Sequence, residues 1–242
     1  MAIIIKDLTL KIADKILIEN LNVNFVAGRI YGILGPNGVG KTTLLHTIAG
    51  IKKCANEKIF INDTDITKIP KKKRAKILGL LTQEFFFNFP ATVLETILLG
   101  RFCHNYNAIL TPTDNFILAK KILKKFFLIN MAKRCVTTLS SGEKMRVALA
   151  ILAMQTPEIY LLDEPTNHLD ILQQINTLKI FSTIAKKQNK IVIIVMHDIN
   201  LIKNFCDNIL IFGQNKNYVF GRCADILNNE TLEKIFPGVR VC

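Results

Sequence analysis

One loop constrains this chain more than any other feature, and it reads Gly35-Pro36-Asn37-Gly38-Val39-Gly40-Lys41-Thr42-Thr43. It follows the pattern G-x-x-x-x-G-K-[ST], in which backbone amides and a helix N-terminus surround phosphate groups. The apolar run 30–34 precedes the loop, and residues 41–49 are typical of a helix closed by Gly50. Because strand, loop and helix follow in the order that the pattern requires, a chance glycine-rich turn is a poor alternative.

Each residue type in this phosphate loop suits a triphosphate. The glycines carry no side chain, so the backbone can approach the phosphates closely. Lys41 is expected to reach the β- and γ-phosphates, and the Thr42 hydroxyl is expected to hold Mg²⁺. We therefore predict ATP and Mg²⁺ as ligands, with nucleotide contacts from Gly35, Pro36, Asn37, Gly38, Val39, Gly40, Lys41, Thr42 and Thr43.

The apolar patterns around the loop predict an α/β fold with a mostly parallel sheet. Residues 77–82, 159–162 and 191–196 are continuous apolar runs of strand length, as expected for a sheet covered on both faces. Residues 3–25 alternate partly between apolar and polar types, which favours an N-terminal antiparallel sheet with one wet face.

The middle of the chain is predicted to be helical. A capping box begins at Thr92, and Thr111-Pro112-Thr113-Asp114 is a second helix start. We predict one domain, 1–242, in which a core of 1–83 and 157–242 carries an inserted helical subdomain of about 84–156. Towards the C-terminus the chain has a hairpin-like return around residues 213–217 and a last helical segment, Ala224–Phe236.

Composition limits the function classes. The chain has 242 residues, half of them hydrophobic, yet its long apolar runs fall far short of the roughly 20 residues that span a bilayer. The start of the sequence lacks a signal-peptide pattern, and six scattered cysteines suggest neither a zinc site nor disulfides. The net charge of +13 fits nucleic acid, an anionic membrane surface or simple solubility, so it does not decide function.

Two carboxylates, Asp163 and Glu164, end the apolar run 159–162. Open α/β sheets bind ligands beyond the carboxyl ends of their strands. We expect Asp163 to bind the metal, usually through water, because Mg²⁺ keeps several waters and takes few protein ligands. We expect Glu164 to orient and deprotonate the attacking water. An Asp-Glu pair alone is a common strand terminus, and the phosphate loop upstream favours the catalytic interpretation.

Several more motifs follow in a fixed order. They are Gln83 after a predicted strand, Leu139-Ser140-Ser141-Gly142-Glu143, Thr166-Asn167-His168-Leu169-Asp170, and His197 after a predicted strand. With the phosphate loop and the acidic pair, this set resembles the nucleotide-binding subunits of ATP-binding cassette (ABC) transporters over nearly the whole chain. The resemblance implies an ATPase of the P-loop class.

The resemblance also implies roles for single residues. Gln83 would touch Mg²⁺ and report its state to a membrane partner, and His197 would contact the γ-phosphate and the attacking water. Asp170 would arrange a contact between two subunits, and it also suits a helix N-cap. Catalysis would then depend on Glu164, His197 and Lys41.

Residues 139–143 resemble the cassette signature loop, which implies a homodimer. Ser140 and the amides of Ser141 and Gly142 would close over the γ-phosphate bound by the other subunit, so that two ATP molecules lie between two copies. An ordinary serine-capped helix is the alternative for this loop alone. Ser141 stands where the family usually has glycine, and Ile12 stands where many members stack an aromatic residue on adenine. A degenerate cassette that binds nucleotide without hydrolysing it is therefore a second interpretation.

Other segments resemble one subgroup of the family. Residues 92–101 and 197–201 look like the importer ATPases for iron–siderophore complexes, haem and vitamin B12. This implies a bacterial importer whose ATPase lies at the cytoplasmic face of the inner membrane as a peripheral subunit. Its partners would be integral membrane permease subunits and, indirectly, a substrate-binding protein, with no nucleic acid. The aromatic segment 84–89 would receive a permease helix, or would be the end of a core strand.

Two other functions stay open at this point. Importer ATPases for zinc, manganese or molybdate share much of the same sequence frame. A soluble cassette ATPase acting on nucleic acid or ribosomes would suit the positive charge. Such proteins usually carry long coiled coils or two cassettes in one chain, and neither feature is present here.

Overall fold

A computed structural model describes residues 1–55, 57–83, 87–104, 112–213 and 216–228. Its first sheet is antiparallel and is formed by β1 (Ala2–Ile12), β2 (Lys15–Val26), β4 (Ile59–Ile61) and β5 (Thr64–Asp65) in the order β2-β1-β4-β5. The predicted N-terminal antiparallel sheet is thus confirmed, and one of its faces belongs to the core.

The second sheet has six strands. These are β3 (Arg29–Leu34), β6 (Leu78–Leu81), β7 (Ile159–Asp163), β8 (Ile191–Val195), β9 (Asn208–Phe212) and β10 (Tyr218–Arg222), in the order β10-β9-β3-β8-β7-β6. All neighbours are parallel except β9 and β10, which form an antiparallel pair. Every residue of β7, β8 and β9 is buried, because apolar layers cover both faces of the sheet.

Alternate residues of the central strands enter different apolar layers. In β3, Ile30 and Leu34 belong to one core cluster, whereas Tyr31 and Ile33 belong to the other. This follows from the two-residue period of a strand. The continuous apolar runs that predicted these strands therefore reflect two packed faces rather than one.

Eight α-helices occur in the described part of the chain. They are α1 (Lys41–Ile48), α2 (Lys71–Ile77), α3 (Val93–Leu98), α4 (Pro112–Lys125), α5 (Ser141–Gln155), α6 (Ile171–Gln188), α7 (Ile199–Phe205) and α8 (Cys223–Ile226). Helices α3, α4 and α5 lie between β6 and β7 in the chain, where the sequence predicted helices. The exact division at 84 and 156 stays a prediction.

Local capping explains where several helices begin. Thr92 and Glu95 form the expected capping box at α3. The predicted start of α4 agrees with a helix that begins at Pro112, while Thr111 lies outside the described residues. The last predicted helix is shorter than expected, because α8 ends at Ile226 and Leu227 leaves helical geometry. Residues 229–236 of that prediction lie outside the described residues. No helix among the described residues has the length and hydropathy to cross a membrane.

Candidate active site

The phosphate loop connects the end of β3 to the start of α1. A Cβ on Gly35 would lie 2.8 Å from the carbonyl oxygen of Phe212, and Gly40 has φ +115°, so both positions require glycine. Lys41 is buried and its Nζ donates to the carbonyl oxygens of Gly35 at 2.8 Å and Pro36 at 2.9 Å. These two hydrogen bonds hold the start of the loop against the ammonium group.

The metal-binding candidates meet at the first turn of α1. Thr42 Oγ1 donates to Asp163 Oδ2 at 2.6 Å, which joins the loop to the end of β7. Asp163 Oδ1 is buried without a hydrogen-bond partner. Burial raises the pKa of the Asp163 carboxyl and lowers the pKa of the Lys41 ammonium. An orphaned carboxylate oxygen beside a threonine hydroxyl fits a hard divalent cation such as Mg²⁺.

Glu164 lies at the centre of a group of polar side chains. Its Oε1 is 2.7 Å from His197 Nε2, and its Oε2 accepts from Gln83 Nε2 at 3.2 Å. Asn167 Nδ2 also donates to Oε2. Glu164 itself has φ +51°, and its amide donates to the Val195 carbonyl at 3.1 Å. The left-handed backbone turns the chain directly after β7 and aims the carboxylate at the ends of two neighbouring strands.

An open cavity of about 560 Å³ lies over the loop. Ile12, which stands where many family members stack an aromatic residue on adenine, is among the residues that line it. The others are Asn37, Gly38, Gly40, Lys41, Thr42, Thr43, His46, Lys52, Gln83, Glu164 and His197. The structure therefore brings the phosphate loop, Gln83, Glu164 and His197 around one cavity. Asp163 is connected to the cavity by its hydrogen bond with Thr42, and Pro36 by its hydrogen bond with Lys41. Val39 is connected to it through the backbone of the loop.

Sequence reasoning missed three residues of this site. Asn167 is part of a quoted motif, but nothing in the motif indicated its bond to Glu164. His46 could have been found, because it lies four residues after Thr42 and so on the same helix face. Lys52 had no sequence signal, since it belongs to an irregular loop after α1.

The signature loop is separate from this cavity. Ser140 is the N-cap of α5, and its Oγ accepts from the Glu143 amide at 3.3 Å. Ser140 and Ser141 are exposed. Asp170 is exposed as well and caps α6 by accepting from the Gln173 amide at 2.8 Å. Ser140, Ser141, Gly142 and Asp170 do not line the cavity of their own chain.

The cavity can bind and position a phosphoanhydride. It offers lysine ammonium groups, a loop of backbone amides, a carboxylate suited to a cation and a second carboxylate beside a histidine. Within the described residues no cluster of three or more His, Cys, Asp or Glu side chains could hold a metal alone.

The chain is similar to known proteins over most of its length. Residues 18–167 match the protein family described as ABC transporter. An uncharacterized ABC transporter ATP-binding protein of Methanocaldococcus jannaschii is 34% identical over 91% of this chain and 85% of its own length. The iron(3+)-hydroxamate import ATP-binding protein of Bacillus subtilis is 28% identical over 92% of this chain and 83% of its own length. The hemin import ATP-binding protein of Vibrio parahaemolyticus is 30% identical over 96% of this chain and 89% of its own length.

Two solved structures have the same fold. A metal-chelate type ABC transporter in an inward-facing conformation gives a TM-score of 0.81 at 29% identity, covering 97% of this chain and 88% of that one. A dimeric post-hydrolysis state of an ATP-binding cassette bound to ADP and Pi gives a TM-score of 0.80 at 26% identity, covering 91% of this chain and 98% of that one.

Proposed function

This chain belongs to the ABC transporter family, and from that premise we propose that it powers a bacterial importer of iron–siderophore, haem or cobalamin-like solutes. As a member of the family it is an ATPase with the cassette fold. The solute class is supported by relatives whose names specify iron(3+)-hydroxamate and hemin import.

One observation carries the hydrolytic part of the proposal. Glu164 contacts both Gln83 and His197 at the edge of the cavity that Lys41 and Thr42 line. A carboxylate in that place can hold a water molecule and accept its proton. His197 and Gln83 would then orient the water and the terminal phosphate.

Binding would be divided among the loop residues. Backbone N–H groups of the loop after Pro36 and the Lys41 ammonium would hold the phosphates. Thr42, Asp163 and Gln83 would hold Mg²⁺, which when bound neutralises charge on the phosphate oxygens. Glu164 already accepts bonds from Gln83, Asn167 and His197. A carboxylate offers about four acceptor positions, so one position stays open for a water molecule.

We assign Ser140, Ser141, Gly142 and Asp170 to the nucleotide of a second copy. Support comes from the exposure of Ser140, Ser141 and Asp170 and from the place of all four residues outside their own chain's cavity. The N-terminus of α5 can add amides and a partial positive charge to a terminal phosphate. The proposed working form is thus a homodimer with two ATP molecules between the copies.

The proposed partners are integral membrane permease subunits, with a substrate-binding protein acting through them. The chain would then be a peripheral protein at the cytoplasmic face of the inner membrane. The predicted permease contact begins at Gln83; residues 84–86 lie outside the described residues, and Phe89 is 39% exposed. An exposed phenylalanine within the predicted contact segment suits an interface.

Replacement of the base tests this proposal. Glu164→Gln keeps the size and hydrogen-bonding capacity of the side chain but cannot accept a proton at neutral pH. We expect ATP binding to persist while hydrolysis falls by about a hundredfold or more, and a closed dimer to accumulate in size-exclusion chromatography with ATP. Lys41→Ala is the matched control, since it should lose ATP affinity instead. Normal turnover in Glu164→Gln would refute the assignment of the base.

A further inference from the structure

Lys52 folds back from the loop after α1 into the cavity. Its amide donates to the His46 carbonyl at 3.1 Å, which fixes the backbone of this loop against the helix. Its Nζ donates to Thr43 Oγ1 at 3.3 Å, and the residue is half-buried. The side chain thus places a positive charge inside the nucleotide cavity, which it lines together with Ile12.

This ammonium group has spare binding capacity. A lysine carries three N–H donors, and the Thr43 hydroxyl accepts only one of them. In the described ranges of the chain no carboxylate forms an ion pair with Lys52. A half-buried charge without a counter-ion has lost part of its hydration, so an anion in the cavity would be favourable to it.

The two lysines of the cavity contact opposite ends of the phosphate loop. Lys41 Nζ contacts the carbonyls of Gly35 and Pro36 at the start of the loop, whereas Lys52 Nζ contacts Thr43 at its end. Taking the proposed nucleotide-binding function as given, we propose that Lys52 is a second phosphate-binding cation and that it shifts recognition from the base to the phosphates. Ile12 offers the base only an apolar side chain, so the site would accept purine nucleoside triphosphates with little discrimination between adenine and guanine.

Substitution of Lys52 separates charge from packing. Lys52→Met keeps the length of the side chain and removes its charge, and Lys52→Arg restores a charge. Lys53→Met is the matched control, because Lys53 is the exposed neighbour in the same loop and does not line this cavity. Affinities for adenosine, ADP, ATP and GTP would be measured by competition with a fluorescent nucleotide, with thermal unfolding to check that each variant is folded.

We expect Lys52→Met to weaken the binding of ADP, ATP and GTP by similar factors of about five and to leave the affinity for adenosine unchanged. Lys52→Arg should recover most of the loss, Lys53→Met should bind like the wild type, and the wild type should bind GTP nearly as well as ATP. Wild-type affinity in Lys52→Met, or an equal loss for adenosine, would overturn the inference. If the wild-type chain bound no nucleotide, both this inference and the proposed function would fail. If Lys41→Ala lost nucleotide affinity while Lys52→Met kept it, the proposed function would stand and only the role of Lys52 would be removed.

Discussion

At the scale of residues, Asp163 is held in a way that costs stability in the nucleotide-free protein. Its side chain is buried at the end of β7, Thr42 satisfies one oxygen, and the other has no partner. Burial raises the pKa of this carboxyl, so the charged form is less favourable in the folded chain than in the unfolded one. Above its pKa the group therefore lowers the free energy of unfolding, and that penalty disappears as the pH falls and the carboxyl gains a proton.

Asp163→Asn should consequently raise the thermal stability of the nucleotide-free protein at neutral pH. The amide can still accept from Thr42, and it carries no charge to desolvate. The difference from the wild type should shrink on acidification, and the extra stabilisation that Mg²⁺ gives with ATP should be lost. Scanning calorimetry at several pH values would measure both effects. Asp170→Asn is the control, since Asp170 is an exposed cap and asparagine caps equally well; a destabilised Asp163→Asn would contradict the argument.

At the scale of elements, the start of α5 packs directly on the segment that follows Glu164. A Cβ on Gly142 would lie 2.7 Å from the His168 carbonyl oxygen. Backbone atoms cannot yield as a flexible side chain can, so Gly142→Ala should lower the free energy of unfolding by about 1–3 kcal/mol, although alanine favours helices by about 1 kcal/mol. Urea unfolding would test this against Ser141→Ala, an exposed neighbour expected to change stability by less than about 0.5 kcal/mol. A Gly142→Ala variant of unchanged or higher stability would show that the contact is not strained.

Elements with strong local signals were predictable, and those decided by distant contacts were not. β7 and β8 follow from continuous apolar runs, and α3 follows from its capping box. The prediction of a helix over Ala224–Phe236 was wrong at Leu227, because α8 ends at Ile226. Asn228, whose residue type often ends helices, was a stop signal that the prediction overlooked. In the site, motifs indicated Glu164, whereas Lys52 is brought to Thr43 by a fold in an irregular loop, which no spacing rule describes.

At the scale of the whole molecule, the proposal predicts that each site is shared between two copies. Lys41→Ala disables the phosphate loop of a chain, and Ser140→Glu places a negative charge in its signature loop. Each variant alone should be inactive, because both sites of its homodimer contain one defect. In a mixed dimer one site combines the two intact halves, so an equal mixture should recover up to about a quarter of wild-type ATP hydrolysis. No recovery in the mixture, with mixed dimers present by mass spectrometry, would mean that each chain uses its own signature loop.

The strand order of the second sheet has a consequence for the motions of this protein. β3, β8 and β7, which lead into the phosphate loop, His197 and Glu164, are all interior strands with neighbours on both sides. Their backbone amides can exchange with deuterated water only when the sheet itself opens, so they should be among the last to do so. The groups proposed to perform hydrolysis thus follow interior strands of the sheet, and in the proposed dimer the elements around this sheet would carry the opening and closing.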